Sequence, residues 1–303
     1  MNIALATRRS PLAMVQAEEI SAALRERHPD LEVELVAMST RGDEMLDRAL
    51  APLGGKGLFI KALEAALESG RARIAVHSLK DLPAVLEPGF ALAAVPARHD
   101  PRDVLISRHG PDVDSLPRGA RVGTASLRRQ AQLLAVRPDL DVVTLRGSVQ
   151  TRLARLDAGE LDATVLAAAG LARLGIDRGT PIDPSVMVPA SGQGALGLEV
   201  IARDEEAAEL ALGLEDAGAR VVAAAERGFC RALGATCASP VAAYATVDGG
   251  RVRLVARVAA TDGSRMLEES GEVDLDAAAA LGEKLAKRLL GRGAGAFITP
   301  PGD

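Results

Sequence analysis

Short apolar runs alternate with longer amphipathic stretches over the first two thirds of the chain. Residues 3–6 form one such run, and a stretch with helical spacing follows from Pro11. Another run ends at Val122-Gly123, and a helix is predicted shortly after it. This alternation of strands and helices indicates an α/β protein.

The same order of features occurs twice, so each half reads strand, helix, strand, Arg-Gly, helix, strand. We therefore predict two related α/β lobes with a cleft between them, the first copy being longer around residues 51–59. The matching segments are 28–33 with 137–142, Arg41-Gly42 with Arg146-Gly147, 67–70 with 156–159, and 74–76 with 163–166.

The last part of the chain has a different pattern. Residues 252–258 alternate as a strand, residues 248–250 are typical of a turn, and residues 277–290 have helical spacing. These features predict a smaller third domain of mixed helix and strand. The Gly- and Pro-rich tail after Gly291 is expected to be frayed.

Composition narrows the class of ligand. The 303-residue chain is 48% hydrophobic, only 2% aromatic and has a net charge of -5. Its arginines gather at motif junctions and form no basic stripe interleaved with aromatics, which favours a pocket for an acidic small molecule over a nucleic-acid surface. No apolar run approaches the roughly 20 residues of a membrane helix, and no signal-peptide pattern precedes the first strand, so we expect a cytoplasmic protein.

Cysteine and histidine usage argues against disulfides and metals. Cys230 and Cys237 are too few for a disulfide framework, and their spacing fits no zinc motif. The four histidines add no ligand cluster, so we expect no protein-bound metal.

Two strand-to-helix junctions carry neighbouring arginines. One is Thr7-Arg8-Arg9-Ser10-Pro11, and the other is the run 122–130 with Arg128-Arg129. Helix N-termini attract anions, Ser suits the cap, and Arg binds carboxylate with two parallel hydrogen bonds. The pattern predicts anion sites, and for Arg128 and Arg129 the alternative is that they are solvated charges on a helix.

Two further segments bear on chemistry. The Gly-Gly-Lys-Gly run at 54–57 is no phosphate-binding loop, because Lys56 is followed by Gly and no strand precedes the run at the required distance. It is either a mobile loop carrying Lys56 over the cleft or an ordinary flexible turn. At residues 76–83, a strand ends in Lys80-Asp81, which is either a ligand-binding edge or a surface ion pair in a turn.

Taken together, the motifs resemble the porphobilinogen deaminase family, also called hydroxymethylbilane synthase. The resemblance runs in order from residue 3 to about residue 245, and the set of motifs is highly specific. The matching segments are 7–13, 54–59, 76–83, 126–130, 145–147, 151–153, 169–171 and 191–195.

This resemblance implies an enzyme of tetrapyrrole synthesis. It would join four porphobilinogen molecules head to tail, release ammonia, and free the product by adding water. The family carries a dipyrromethane cofactor linked by a thioether to one cysteine, and the segment 226–237 aligns Cys237 with that cysteine. Cys230 falls within the preceding helix, where a buried, inert thiol is the usual interpretation.

The resemblance also implies roles for individual residues. Asp81 is the expected catalytic acid, which stabilises the positive charge that develops at the pyrrole nitrogen. Lys56 and Phe59 belong to the expected mobile loop. The expected ligands of the cofactor and substrate carboxylates are Arg8, Ser10, Lys80, Thr124, Ser126, Arg128, Arg129, Arg146, Ser148, Arg152, Arg173 and Gln193.

Three positions depart from the family pattern. Arg9 stands where Gln is common, Ala125 where a hydroxyl residue is common, and Ser148 where Asn is common. The expected acid and most of the cationic set are intact.

The implied architecture is two periplasmic-binding-protein-like lobes around a cleft, plus a C-terminal α+β domain that attaches the cofactor. Lobe one would hold residues 1–95 with 192–214, lobe two 99–189, and the third domain 218–303. The family suggests a monomer without an obligate protein partner, bound to neither nucleic acid nor membrane. The alternative function is a non-catalytic two-lobed binding protein for a small polycarboxylate.

Overall fold

The computed structural model describes residues 2–38, 57–236 and 238–298, and for residues 57–59 it describes the backbone alone. The chain divides into two compact units, which are Met1–His99 with Ala195–Arg220 and Asp100–Gly194 with Val221–Asp303. The three-domain division stays a prediction.

Strands and helices alternate along the described residues. The strands are β1 (Asn2–Arg8), β2 (Glu32–Met38), β3 (Ile74–Ser78), β4 (Phe90–Ala94), β5 (Asp103–Ser107), β6 (Arg121–Gly123), β7 (Asp141–Val143), β8 (Ala163–Ala167), β9 (Thr180–Pro181), β10 (Leu196–Ile201), β11 (Val241–Asp248), β12 (Arg251–Ala259) and β13 (Met266–Asp274). The helices are α1 (Pro11–Arg27), α2 (Gly57–Glu68), α3 (Leu127–Val136), α4 (Val149–Asp157), α5 (Ala168–Arg173), α6 (Glu205–Leu212), α7 (Ala217–Leu233), α8 (Ala278–Gly291) and α9 (Gly295–Ile298).

The two five-stranded sheets have the same arrangement of parallel and antiparallel strands. The first unit has the order β2-β1-β3-β10-β4, and the second unit has β7-β6-β8-β5-β9. In both sheets the first three strands are parallel, and the fourth runs antiparallel to its two neighbours. The predicted repeat of strands and helices is therefore confirmed, and the fold class is α/β.

Strand alternation distributes the core of the first unit over both faces of its sheet. On one face, Ile20 and Leu24 of α1 pack with Leu5 and Leu198. On the other face, Leu63 and Leu67 of α2 pack with Ala6 and Ala75. Burial on both faces explains why these strands read as nearly continuous apolar runs.

The second sheet is buried in the same way. One cluster joins Leu133 of α3 to Val122 and Val165, and another joins Leu156 of α4 to Ile106 and Leu166. Both faces of the sheet are thus covered by helices.

The C-terminal part of the second unit is a three-stranded antiparallel sheet, β11-β12-β13, with α7 and α8 against it. A two-residue turn, Gly249-Gly250, joins the first two strands, and both glycines have positive φ angles (53° and 77°) as that tight turn requires. Helices α7 and α8 cross closely at Gly282, where a Cβ would lie 2.2 Å from the Ala225 carbonyl oxygen.

The expectation of a frayed tail is wrong for its first residues. Helix α9 follows Gly293, and its Phe297 and Ile298 pack against the C-terminal core. Two apolar side chains within four residues are enough to hold this segment on the domain, despite the surrounding glycines.

Candidate active site

In the first unit, the predicted acid and two predicted cations lie at one edge of the sheet. Strands β1 and β3 are parallel neighbours with Leu5 opposite Ile74, so their carboxyl ends meet at the same edge. Arg8 ends β1, while Lys80 and Asp81 lie in a 3-10 turn directly after β3. All three side chains are half-buried.

Neighbouring contacts fix the turn that carries Asp81. Leu79 is buried, and its backbone N–H donates to the Ala195 carbonyl over 3.0 Å. Ser78 Oγ accepts a hydrogen bond from Gln16 Nε2 over 2.9 Å, which ties the end of β3 to α1. The carboxylate therefore stands on a turn anchored by both backbone and side-chain bonds.

Ser10 begins helix α1 as predicted. Its Oγ accepts a hydrogen bond from the Ala13 N–H at 3.4 Å, and Pro11 occupies the first turn. The cap is confirmed, whereas a bond from Ser10 to a ligand stays a prediction.

A buried polar cluster in the first unit was not found from the sequence. His77 Nε2 lies 2.8 Å from Glu199 Oε2, and both side chains are buried with Glu64 nearby in α2. Burial raises the pKa of the Glu64 carboxyl, and the negative charge of Glu199 raises it further. Each residue comes from a different element, so no local pattern could have brought them together.

In the second unit, Thr124 and Ser126 follow β6 directly. Ser126 is the N-cap of α3 and accepts from the Arg129 N–H at 3.4 Å. Thr124 is buried, and its Oγ1 accepts from the Ser126 N–H at 3.1 Å. Both hydroxyls thus shape the start of the helix that carries the arginines.

Arg128 and Arg129 are buried, so the interpretation of solvated charges is wrong for them. Arg128 Nη1 donates to Asp103 Oδ2 over 2.6 Å, and Arg129 Nε donates to Asp103 Oδ1 over 2.8 Å. Both guanidinium groups therefore share one internal carboxylate. Their binding of cofactor or substrate carboxylates stays a prediction.

Asp103 is fully buried at the start of β5, and sequence reasoning missed it. The two guanidinium groups and Gln193 hold the pKa of its carboxyl well below the usual range, although burial alone would raise it. Gln193 Nε2 donates to Asp103 Oδ1 at 3.1 Å and to the Pro101 carbonyl at 2.7 Å. The predicted ligand Gln193 is thus part of the same buried cluster.

The remaining predicted cations of the second unit lie nearer the surface. Arg146 is exposed, and Arg152 Nε donates to the Gly147 carbonyl over 2.9 Å. Ser148 caps α4 by accepting from the Thr151 N–H at 3.1 Å. Arg173 Nη1 donates to the Gly194 carbonyl over 3.4 Å. Their roles toward a ligand stay predictions.

Helix α7, which leads toward Cys237, is anchored by a buried glutamate. Glu226 accepts from the Gly192 N–H at 2.6 Å and from the Ala245 N–H at 2.8 Å. One turn later, burial raises the pKa of the Cys230 thiol to about 11, against a smaller opposing effect of its hydrogen bond with Ser191. The raised pKa makes Cys230 a poor nucleophile at neutral pH.

Lys56 and Cys237 lie outside the described residues, and for Phe59 only its backbone position in α2 is described. Within the described ranges, no group of three His, Cys, Asp or Glu side chains is arranged to hold a metal ion. None of the helices seen in those ranges has the length and apolar character needed to cross a membrane.

Two family models match the chain. Residues 3–209 match "Porphobilinogen deaminase, dipyromethane cofactor binding domain", and residues 221–291 match "Porphobilinogen deaminase, C-terminal domain". These matches cover both sheets of the α/β repeat and the C-terminal sheet.

Curated relatives agree over nearly the whole length. A porphobilinogen deaminase of Burkholderia pseudomallei (strain 668) is 48% identical over 301 residues, which cover 98% of this chain and 92% of the relative. One of Chromobacterium violaceum is 49% identical over 298 residues, covering 98% of this chain and 96% of the relative. Among solved structures, a BvgS VFT2 domain of Bordetella pertussis matches at 17% identity over 70% of this chain and 86% of that chain, with a TM-score of 0.44, which is too remote to carry a conclusion.

The chain is a two-sheet α/β protein whose first sheet has a carboxylate and two cations at its strand ends. The chain belongs to the porphobilinogen deaminase family, a family of transferases with a dipyrromethane cofactor. The alternative of a non-catalytic binding protein is not favoured.

Proposed function

We propose that this chain catalyses the stepwise condensation of four porphobilinogen units on a dipyrromethane primer, followed by hydrolytic release of hydroxymethylbilane. Family membership supports the reaction. The observation that carries the proposal for the site is the common position of Arg8, Lys80 and Asp81 at the edge formed by β1 and β3.

The cationic and hydroxyl side chains predicted as ligands suit the cofactor and the growing chain. Each pyrrole unit brings an acetate and a propionate, so two linked units carry four carboxylates. Cations on well-anchored elements suit such a ligand, because guanidinium groups bind carboxylates bidentately. The proposed carboxylate ligands are Arg8, Ser10, Lys80, Thr124, Ser126, Arg128, Arg129, Arg146, Ser148, Arg152, Arg173 and Gln193.

Asp81 has the distinct chemical role. Loss of ammonia from porphobilinogen leaves positive charge at or near the pyrrole nitrogen, and the Asp81 carboxylate stabilises it. At about 4 Å and an effective dielectric constant of about 20, this attraction is worth about 4 kcal/mol, or about three decades in rate. Asp81 also accepts the proton that leaves the attacking α-carbon once the new bond has formed. When bound, the dipyrromethane supplies the free α-carbon that forms the new bond.

Cys237 is the proposed attachment residue. Burial raises the pKa of the competing Cys230 thiol to about 11, which leaves little thiolate at pH 7 to 8. The low reactivity expected of Cys230 supports Cys237 as the cysteine that forms the thioether.

The finer features of the proposal rest on the family resemblance. They are a mobile loop carrying Lys56 and Phe59, a monomeric state without an obligate partner, a cytoplasmic location, and the division into domains at 1–95 with 192–214, 99–189 and 218–303. Sedimentation of the purified protein tests the monomer.

Intact mass and peptide mapping test the proposal. We expect an added mass of two linked pyrrole units on the peptide that contains Cys237, and consumption of porphobilinogen by the same preparation. Cys237→Ser should lose both, while the matched variant Cys230→Ser should keep both. A wild-type protein that stays unmodified after incubation with porphobilinogen contradicts the proposed function.

A further inference from the structure

The buried cluster around Asp103 has an unusual charge balance. Two guanidinium groups, Arg128 and Arg129, share one carboxylate, and the only other side chain that bonds it in the described residues is the neutral Gln193. The cluster therefore carries a net charge of +1. Because its side chains are at most 6% exposed, water screens that charge weakly.

The geometry leaves the cluster partly satisfied. Arg128 binds Asp103 through Nη1 at 2.6 Å and Nη2 at 3.1 Å, and Nη1 also donates to the Val188 carbonyl at 2.8 Å. Its Nε is buried and has no hydrogen-bond partner among the described residues. A buried N–H without a partner is costly, so the hydrogen bonds within the cluster do not satisfy Arg128 completely.

Asp103 fixes the orientation of both arginines. Arg129 binds it through Nε at 2.8 Å while its Nη1 donates to the Val165 carbonyl at 2.8 Å, so each guanidinium is held by the carboxylate and by one backbone oxygen. A side chain held at two points retains one rotamer, and its orientation is fixed before any ligand binds.

Resting on the proposed function, we propose that Asp103 is a positioning residue that sets how tightly the Arg128–Arg129 pair holds a ligand carboxylate. With Asp103 ionised, one ligand carboxylate brings the cluster from +1 to neutral. With a neutral amide in its place, which keeps an oxygen that orients the arginines, the pair presents +2 and holds the same carboxylate more strongly. The growing chain gains carboxylates at every condensation and has to shift its contacts. A lower affinity of the arginine pair for each carboxylate therefore favours turnover.

Variants that change the charge of the cluster, but barely change side-chain size, test this affinity. Asp103→Asn raises the cluster to +2, and we expect the KM for porphobilinogen to fall by roughly 10-fold or more, with kcat falling by a similar factor because bound chain is released slowly. Gln193→Glu adds a second internal carboxylate, which in its ionised form lowers the cluster to neutral. Its KM should rise by a similar factor, and by more than in Gln193→Met, which removes the hydrogen bonds of Gln193 without adding charge.

Asp139→Asn is the matched control. Asp139 forms a two-point ion pair with Arg137 at the other end of α3, with both bonds at 2.8 Å. Losing that pair should lower stability without changing KM. A folded Asp103→Asn holoenzyme with wild-type or raised KM overturns the proposal.

If Asp103→Asn does not fold, the KM of Gln193→Glu tests the proposal. A KM above that of Gln193→Met supports the charge balance, and a KM equal to or below that of Gln193→Met overturns it. Failure of this inference is distinct from failure of the proposed function, because wild-type turnover and the mass of the Cys237 peptide report on the function independently of both variants.

Discussion

The first helix beside each sheet has a serine N-cap, but the arginines next to the two caps differ in burial. Ser10 and Ser126 each cap a helix by accepting a 3.4 Å hydrogen bond from the N–H three residues later. In the first unit, Arg8 precedes the cap and is half-buried at the strand end. In the second unit, Arg128 and Arg129 follow the cap and are buried against Asp103.

The ends of the third strands differ as well. Strand β3 leads into Leu79-Lys80-Asp81, while its counterpart β8 leads into Ala168-Ala169-Gly170. The proposed acid, Asp81, therefore has no counterpart at this position of the second copy. The comparison teaches that the first sheet has the proposed acid and cations at its edge, whereas the second has arginines built into its interior.

Removing the acid should have the largest effect. Asp81→Asn keeps the shape of the side chain and removes its charge, so kcat should fall by about three decades. Porphobilinogen consumption by the holoenzyme, with cofactor loading verified by mass, measures it. The control Asp204→Asn removes a carboxylate that pairs with Arg73 in the same unit and should leave kcat unchanged. A loss of less than tenfold in Asp81→Asn would show that the first sheet does not carry the acid.

The next largest effect separates buried from half-buried arginines. Arg128→Met should cost about 3–5 kcal/mol of stability, because it removes one partner of a buried ion pair. Arg8→Met should change stability by about 1 kcal/mol or less and raise KM by tens of fold. Denaturant unfolding and steady-state kinetics measure the two effects. Equal losses of stability in both variants would remove the distinction between the two junctions.

The caps should behave alike in both units. Ser10→Ala and Ser126→Ala each remove one side-chain acceptor at a helix N-terminus, and each should cost about 1 kcal/mol of stability. Thermal unfolding of the two variants checks this, with Ser10→Thr and Ser126→Thr as variants that keep the acceptor. A much larger cost for Ser126→Ala would indicate that its cap also holds the Arg pair in place.

The smallest effect concerns the buried carboxylates of the first unit. The pKa of Glu64 is raised, so its stabilising contribution is present below the unfolded value of about 4.5 and is lost as pH rises through the folded value. Glu64→Gln, which stays neutral, should raise Tm slightly at pH 7, and the gain should disappear near pH 4. A gain that persists unchanged at pH 4 would mean that Glu64 titrates normally.

Local pattern predicted most of the elements and the helix caps. The internal repeat, the Gly249-Gly250 turn and the cap residues Ser10 and Ser126 all follow from spacing and residue type, because they depend on neighbours within a few positions. The edge formed by β1 and β3 was also predictable, since parallel strands of an α/β sheet place their carboxyl ends together.

Contacts between residues far apart in the chain could not be predicted from the sequence. Asp103 reads as an ordinary charged residue, yet it is 25 residues from Arg128 and 90 from Gln193 in the cluster that they share. His77 and Glu199 are 122 residues apart and meet only because β3 and β10 pair. The sequence by itself determined which chemical groups stand at the strand ends. The tertiary structure decided which charges are buried and with what partner, because desolvation and ion pairing depend on segments that only folding brings together.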